Sequence, residues 1–383
     1  MRKVRQFIAF GAVLMIPVLL ASAAAADSDG SSAKVLVNGL SSPKGLALNR
    51  ASDPIIAQGA FGPPGPVLEY FTYGKRKGTT RPITDPATPF NLTDVGVNLA
   101  DGTGWAIGPS SVQPPPPPPP DEAPLHISLY HALNDGSIIE VLNITVYQEG
   151  NLDPFDQEGA PEESNPYGLL VLKSGDALVA DAANNSILRV TPDGQVTTVA
   201  RFDVEEVSTD HLPPGPFPPT IMAESVPTSI ALGPGGDILV GELKGFPFRP
   251  GTSRVWRVSP DADGALCSVN TPDDACEVFA EGFDSIQDIA WSREHKTLYV
   301  YQFAEGGVGP FEEGFATGVF PPAVLLAVRG DHRTELAAGE LSQPGGVVVS
   351  RKGIVYVTDG VMGEFTGRLL QIKQDKHHHD DDD

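Results

Sequence analysis

The stretch NPYGLLVLKSGDALVADAANNSILRVTPDG, residues 165–194, reads as three short strands separated by turns. A proline leads into the apolar run YGLLVL, Ser-Gly-Asp turns the chain into ALVAD, and the polar AANN leads into SILRV. TPDG then turns the chain again, and QVTTVARF supplies a fourth strand. Glycine, aspartate, asparagine and proline favour the backbone geometries that reverse a chain, whereas runs rich in valine, isoleucine and leucine favour half-buried strands.

The pattern recurs. VPTSIALGPGGDILVGELKG (226–245) with SRVWRVSPDADG, SIQDIAWSREHKTLYVYQFA (285–304) with AVLLAVRGDHRTEL, and QPGGVVVSRKGIVYVTDGV (343–361) with GRLLQIKQD repeat it. Pro166, Pro227, Ile286 and Pro344 stand 61, 59 and 58 positions apart. A fifth copy opens with SPKGLALN at Ser42. The 123 residues from Pro43 to Pro166 leave room for a degenerate sixth, TDVGVNLADGTGWAIG followed by SLYHALNDGSIIEVL. Four short antiparallel strands per unit, repeated radially, predict an all-β, six-bladed β-propeller forming one domain over 27–375. The last copy ends without a fourth strand, and residues 34–38 (KVLVN) match fourth strands elsewhere, so this segment is expected to close the ring.

The wider composition agrees. Glycine (41) and proline (37) punctuate a chain of 383 residues with 40% hydrophobic content, enough for a core. The net charge of −23, with no basic stripe after the leader, argues against a nucleic-acid partner. Arg2, Lys3 and Arg5 precede an apolar run from Phe7 to Ala21 and a small-residue stretch to Ala26, which predicts a signal peptide over 1–26. The run is shorter than a spanning helix needs, so a secreted or periplasmic protein without a membrane span is expected after cleavage. The only cysteines, Cys267 and Cys276, share a polar loop without histidine; a disulfide is expected in an oxidising compartment.

Three segments interrupt the repeat. Residues 109–125 hold seven consecutive prolines, Pro114–Pro120, and read as a rigid loop tip or a partner-binding ligand. The stretch 149–164 is acidic and 204–225 is proline-rich. The terminal KHHHDDDD, 376–383, reads as a solvated tail or a weak chelator.

On these residues the chain resembles the ScyD/ScyE family of exported propellers, named from the scytonemin pigment cluster. SNPYGLLVLKSGDALVADAANNSILRVTPDG and VGELKGFPF carry the resemblance, which spans the mature chain. More distantly the chain is similar to NHL-repeat and gluconolactonase-like propellers. The resemblance implies an exported fold and leaves the reaction open. The polyproline insertion and the weak second copy depart from the pattern.

The residue following each second strand is Gln58, Gly108, Asp181, Glu242, Gln302 or Asp359. A second ring of equivalent positions holds Lys44, Tyr167, Thr228, Gln287 and Gly345, and Asp288 replaces a glycine found in other copies. Two readings stand side by side. Asp181, Glu242, Asp288 and Asp359 could gather around a cation such as calcium, with Asn165, Tyr167, Gln58, Gln302 and Thr228 binding a small-molecule or saccharide ligand at the channel mouth. A cation there would also permit lactonase-like hydrolysis. Alternatively, the same acids cap their own turns, and partners bind through the loops. No phosphate loop, HExxH motif or G-x-S-x-G elbow occurs, and His126, His131, His211, His295 and His332 are isolated.

Overall fold

The computed structural model describes residues 27–28, 30–85, 91–110, 126–133 and 138–374. The leader 1–26, the prolines 114–120 and the tail 376–383 lie outside the described residues. Six four-stranded antiparallel blades follow in chain order, their inner strands being Leu46–Leu48, Asp94–Val97, Pro166–Val171, Pro227–Leu232, Ile286–Ser292 and Pro344–Val349. The degenerate second copy is a full blade, with strands Asp94–Val97, Gly104–Pro109, Ile127–Ala132 and Ile138–Asn143.

Ring closure runs as the repeat arithmetic predicts. Ser32–Leu40 pairs antiparallel with Gly367–Lys373 and becomes the outer strand of blade six. The pairing extends beyond residues 34–38 at both ends and removes the open edge that a three-stranded last blade would leave.

Apolar side chains are sorted into the seams between blades, because each sheet is buried on both faces. Trp256 and Val240 of blade four pack on Phe202 and Leu178 of blade three. Tyr301 and Leu325 of blade five meet Val357 and Leu370 of blade six. Leu40 and Tyr356 meet Ile56 and Tyr70 where blade six closes on blade one. Burying each such side chain stabilises the fold by about 1.5–3 kcal/mol, so the seams carry most of the cohesion.

Two blades gain an extra parallel strand. Ala265–Cys267, from the loop between the third and fourth strands of blade four, lies along the outer strand of blade three. Cys267 is bonded to Cys276, the first residue of the outer strand of blade four. The expected disulfide therefore holds a segment that crosses a seam. Asp27–Ser28 covers blade five in the same way.

Up-and-down connectivity puts the outer-to-inner links and the second-to-third-strand loops on one face. Among the described residues, the long insertions share that face: 57–67, 144–165, 203–226, 243–252 and 303–323. The proline-rich 204–225 is not a plain loop: Glu205–Ser208 and Thr220–Ala223 form a separate hairpin. A ten-residue helix, Val308–Thr317, stands in the insertion of blade five. Two glycines obscure it in the sequence, and Phe311 and Phe315, one turn apart, stabilise it by packing with Phe320.

At the axis the inner strands approach so closely that some positions have no space for a side chain. A Cβ on Gly168 would lie 2.7 Å from the Thr228 carbonyl oxygen and 3.0 Å from Ser229 Cα, both backbone atoms of the next blade. Gly168→Ala is therefore expected to cost about 1–3 kcal/mol in denaturant unfolding. Gly309→Ala, with nothing within 4 Å, serves as the control and should cost nothing. Equal stability of the two variants would refute the close-approach account.

Candidate functional site

The residues ending each second strand do converge on the insertion face, but each is already engaged. Asp181 accepts hydrogen bonds from Asn165 N (2.7 Å), Ser164 Oγ, Asn184 N and Gln148 Nε2. Asp359 accepts from Ser342 N, Ser342 Oγ and Gly360 N and pairs with Arg368. Gln58 Oε1 accepts from Ser41 N and Gln302 Oε1 from Asp284 N, each at 2.8 Å. One device serves four blades: the last polar side chain of the second strand receives a backbone N–H from the segment entering the first strand. The carboxylates expected to share a cation are thus distributed among separate blades, satisfying orphan amides. Among the described residues no three His, Cys, Asp or Glu side chains are gathered as a metal site.

Glu242 departs from the pattern. Fully buried, it accepts from Ser225 Oγ and Trp256 Nε1 and lies 2.8 Å from Lys244 Nζ. Lys244 also pairs with Glu205 at 3.0 Å, and Arg254 holds Glu205 at 2.6 Å, so two acids and two bases lock the hairpin onto blade four. Burial pushes the Glu205 carboxyl up, yet Arg254 and Lys244 outweigh it and hold it below the usual range.

Side chains meet across the axis. Lys44 Nζ donates to the Tyr167 carbonyl at 2.5 Å and sits 3.9 Å over the Tyr167 ring. Tyr167 Oη donates to Gln287 Oε1 at 3.0 Å, bridging blades three and five, and Thr228 Oγ1 donates to the Ile286 carbonyl. Asp288 occupies a position equivalent to Gly168 and Gly346, and its carboxylate accepts from Ile289 N and from Val347 N of the next blade. Asp94, not singled out in the sequence, does the same for Val95 N and Leu169 N. Aligning TDVGVN with QDIAWS is the signal that reveals it. Burial, followed by the neighbouring Asp94 charge, pushes Asp288 up to about 7, while burial lowers Lys44 against the pull of both acids. Above this plug, Tyr167, Ala182, Val226, Leu243 and Val308 form an apolar cluster with Phe248 and Phe303. Each of Asn165, Tyr167, Gln58, Gln302 and Thr228, the expected ligand set, thus has a hydrogen-bond partner within the protein.

An exposed pair of phenyl rings lies on the insertions. Phe217 and Phe246 are each 44% exposed, with ring centroids 5.9 Å apart, and Phe246 meets Phe248 edge-on. Beside this phenyl shelf, Glu224 accepts from Gln157 N through Oε1, and its carbonyl accepts from Gly245 N. Burial, then the nearby Glu158, Asp153 and Asp156, pushes Glu224 up to about 7.

No family model matches the chain, and no curated protein matches it. Solved structures do. A glucose dehydrogenase-type oxidoreductase from Thermus thermophilus aligns with TM-score 0.51 at 17% identity over 90% of this chain and 100% of that one. A PQQ-bound aldose sugar dehydrogenase from Streptomyces coelicolor gives 0.50 at 13%, over 91% and 99%. Another glucose dehydrogenase gives 0.53 at 14%, over 89% and 99%. At such identity the likeness establishes the propeller fold alone.

Two measurements check this electrostatic picture. Lys244→Met leaves buried Glu242 only the more distant Arg254, 3.9 Å away, and is expected to cost about 3–5 kcal/mol in denaturant unfolding. Adding Glu242→Gln should restore part of that loss, and strict additivity would refute the pairing. For Glu224, a raised folded pKa means the native state binds the proton more tightly. Its contribution is complete below the unfolded value of about 4.5 and fades as pH rises through about 7. Glu224→Gln should therefore stabilise the protein at pH 8 relative to pH 5, on the order of 1 kcal/mol after solvent screening, in paired thermal melts.

Proposed function

We propose that this chain is an exported ligand-binding or accessory propeller of saccharide or secondary-metabolite metabolism, of the ScyD/ScyE type. Its ligand rests on the insertion face, against the phenyl shelf, with Glu224 as the adjacent polar group. The observation supporting this reading is the pairing of two exposed phenyl rings, Phe217 and Phe246, on the insertion face. Phenyl faces stack on sugar rings and planar aromatic metabolites, and a carboxyl near its midpoint can donate or accept. Export is supported by the charged and apolar leader and by the Cys267–Cys276 disulfide, and no helix among the described residues is long and apolar enough to cross a membrane.

The same exposed hairpin favours a second reading, a surface for a protein partner. A quinone cofactor like that of the Streptomyces neighbour fits poorly here. It is a tricarboxylate, whereas Lys44, Lys244, Arg249 and Arg254 are committed to the Tyr167 carbonyl, Glu242, Asp210 and Glu205, and the shelf is bordered by acids. No reaction step is assigned through it.

The test is thermal melting of the mature protein against aldoses, aldonolactones and planar aromatic metabolites. A ligand at about 100 times its dissociation constant adds about 2.7 kcal/mol. The shift is expected to vanish in Phe217→Ala/Phe246→Ala, while the unliganded melt stays unchanged. A shift that survives this double substitution would move the ligand elsewhere. Retention of a protein partner that these substitutions abolish, with no small-molecule shift, would favour the second reading.

A further inference from the structure

The opposite face carries a hollow in blade one with a different chemistry. It lies between the turn joining the first two strands, around Asp53, and the segment between the third and fourth strands, Phe71–Arg76. Its volume is about 300 Å³. Asp53 is only 4% exposed. Its Oδ1 accepts from Thr72 N at 2.7 Å and from Thr72 Oγ1 at 2.5 Å. Its Oδ2, on the same pocket-lining side chain, accepts from no group among the described residues. The other acid in the wall, Glu69, is committed: Asn49 Nδ2 donates to Oε1 and Arg81 to Oε2.

The rim inverts the polarity. Lys75 and Arg76 are exposed and form no ion pair among the described residues, although Arg76 covers the Phe71 ring at 3.7 Å. Tyr73, 58% exposed, leaves an aromatic face at the opening.

These groups select their ligand by elimination. The free Asp53 oxygen is open to the hollow, so a donor that enters there can bond to it in place of water. A metal ion needs several oxygens, and no metal-ligating cluster of three exists among the described residues. An anion is repelled by the Asp53 floor, and a simple cation by Lys75 and Arg76 at the rim. A neutral molecule that donates hydroxyl hydrogens downward, accepts from the cations above and offers a flat C–H face to Tyr73 satisfies all of them. The volume, at the small end for ligand sites, suits a single ring.

We propose that this hollow is a binding site for a neutral monosaccharide, independent of the ligand assigned to the insertion face. Asp53 is its acceptor and Tyr73 its stacking wall.

The test is calorimetric titration of the mature protein with D-glucose, D-galactose and D-mannose. Saturable binding of at least one is expected. Asp53→Asn keeps an acceptor for Thr72 but replaces the free oxygen with an amide NH₂, and should weaken binding about tenfold or more. Tyr73→Ala, at an exposed position, should weaken it without changing the melt. Phe217→Ala/Phe246→Ala should leave it intact. Absence of saturable binding to all three sugars overturns the proposal. So does binding that ignores both Asp53→Asn and Tyr73→Ala, or that disappears in the phenyl-shelf variant.

Discussion

Six sheets can close around an axis only if their inner edges are thin enough to meet there. Everything else in this molecule answers to that crowding. At Gly45, Gly168 and Gly346 the neighbouring blade stands where a side chain would begin: a Cβ on Gly346 would lie 2.8 Å from Leu46 Cβ. Asp94 and Asp288 solve the same problem differently, since a short carboxylate can turn its contact with the next blade into a hydrogen bond to that blade's backbone. These acids are half a turn of the ring apart, and the single buried lysine at the axis interacts with both.

That arrangement explains why the symmetric acids of the repeat are engaged within separate blades. A repeated position in a propeller is a repeated local problem, here an amide left without a partner where the chain enters each inner strand. Asp181, Asp359, Gln58 and Gln302 solve it with an acid in two cases and an amide in two, as a cap needs only an acceptor. Chemistry shared by many blades is therefore structural. What is special lies where one blade departs from the others: the hairpin of 205–223, the helix Val308–Thr317 and the hollow of blade one.

The legibility of the sequence divides along the same line. Strand positions, blade count and the closing segment follow from turn residues and apolar runs, which act locally and repeat. Asp288 is legible because it replaces a glycine found in other copies, whereas Asp94 lies in the most degenerate copy of the repeat. The helix escaped because Gly309 and Gly314 interrupt VGPFEEGFAT and its stability comes from phenylalanines brought together by the fold. The occupancy of the predicted ligand residues could not be read either, since hydrogen bonds such as that of Tyr167 to Gln287 join positions 120 residues apart.

The plug of Lys44, Tyr167 and Gln287 ties blades one, three and five together between the two faces. The acidic surroundings of Glu224 and the mixed charges around Asp53 thus act as separate local environments. Substitutions that retune one surface leave the other's chemistry in place, and a ligand on one side can be sensed on the other only through movement of the blades themselves.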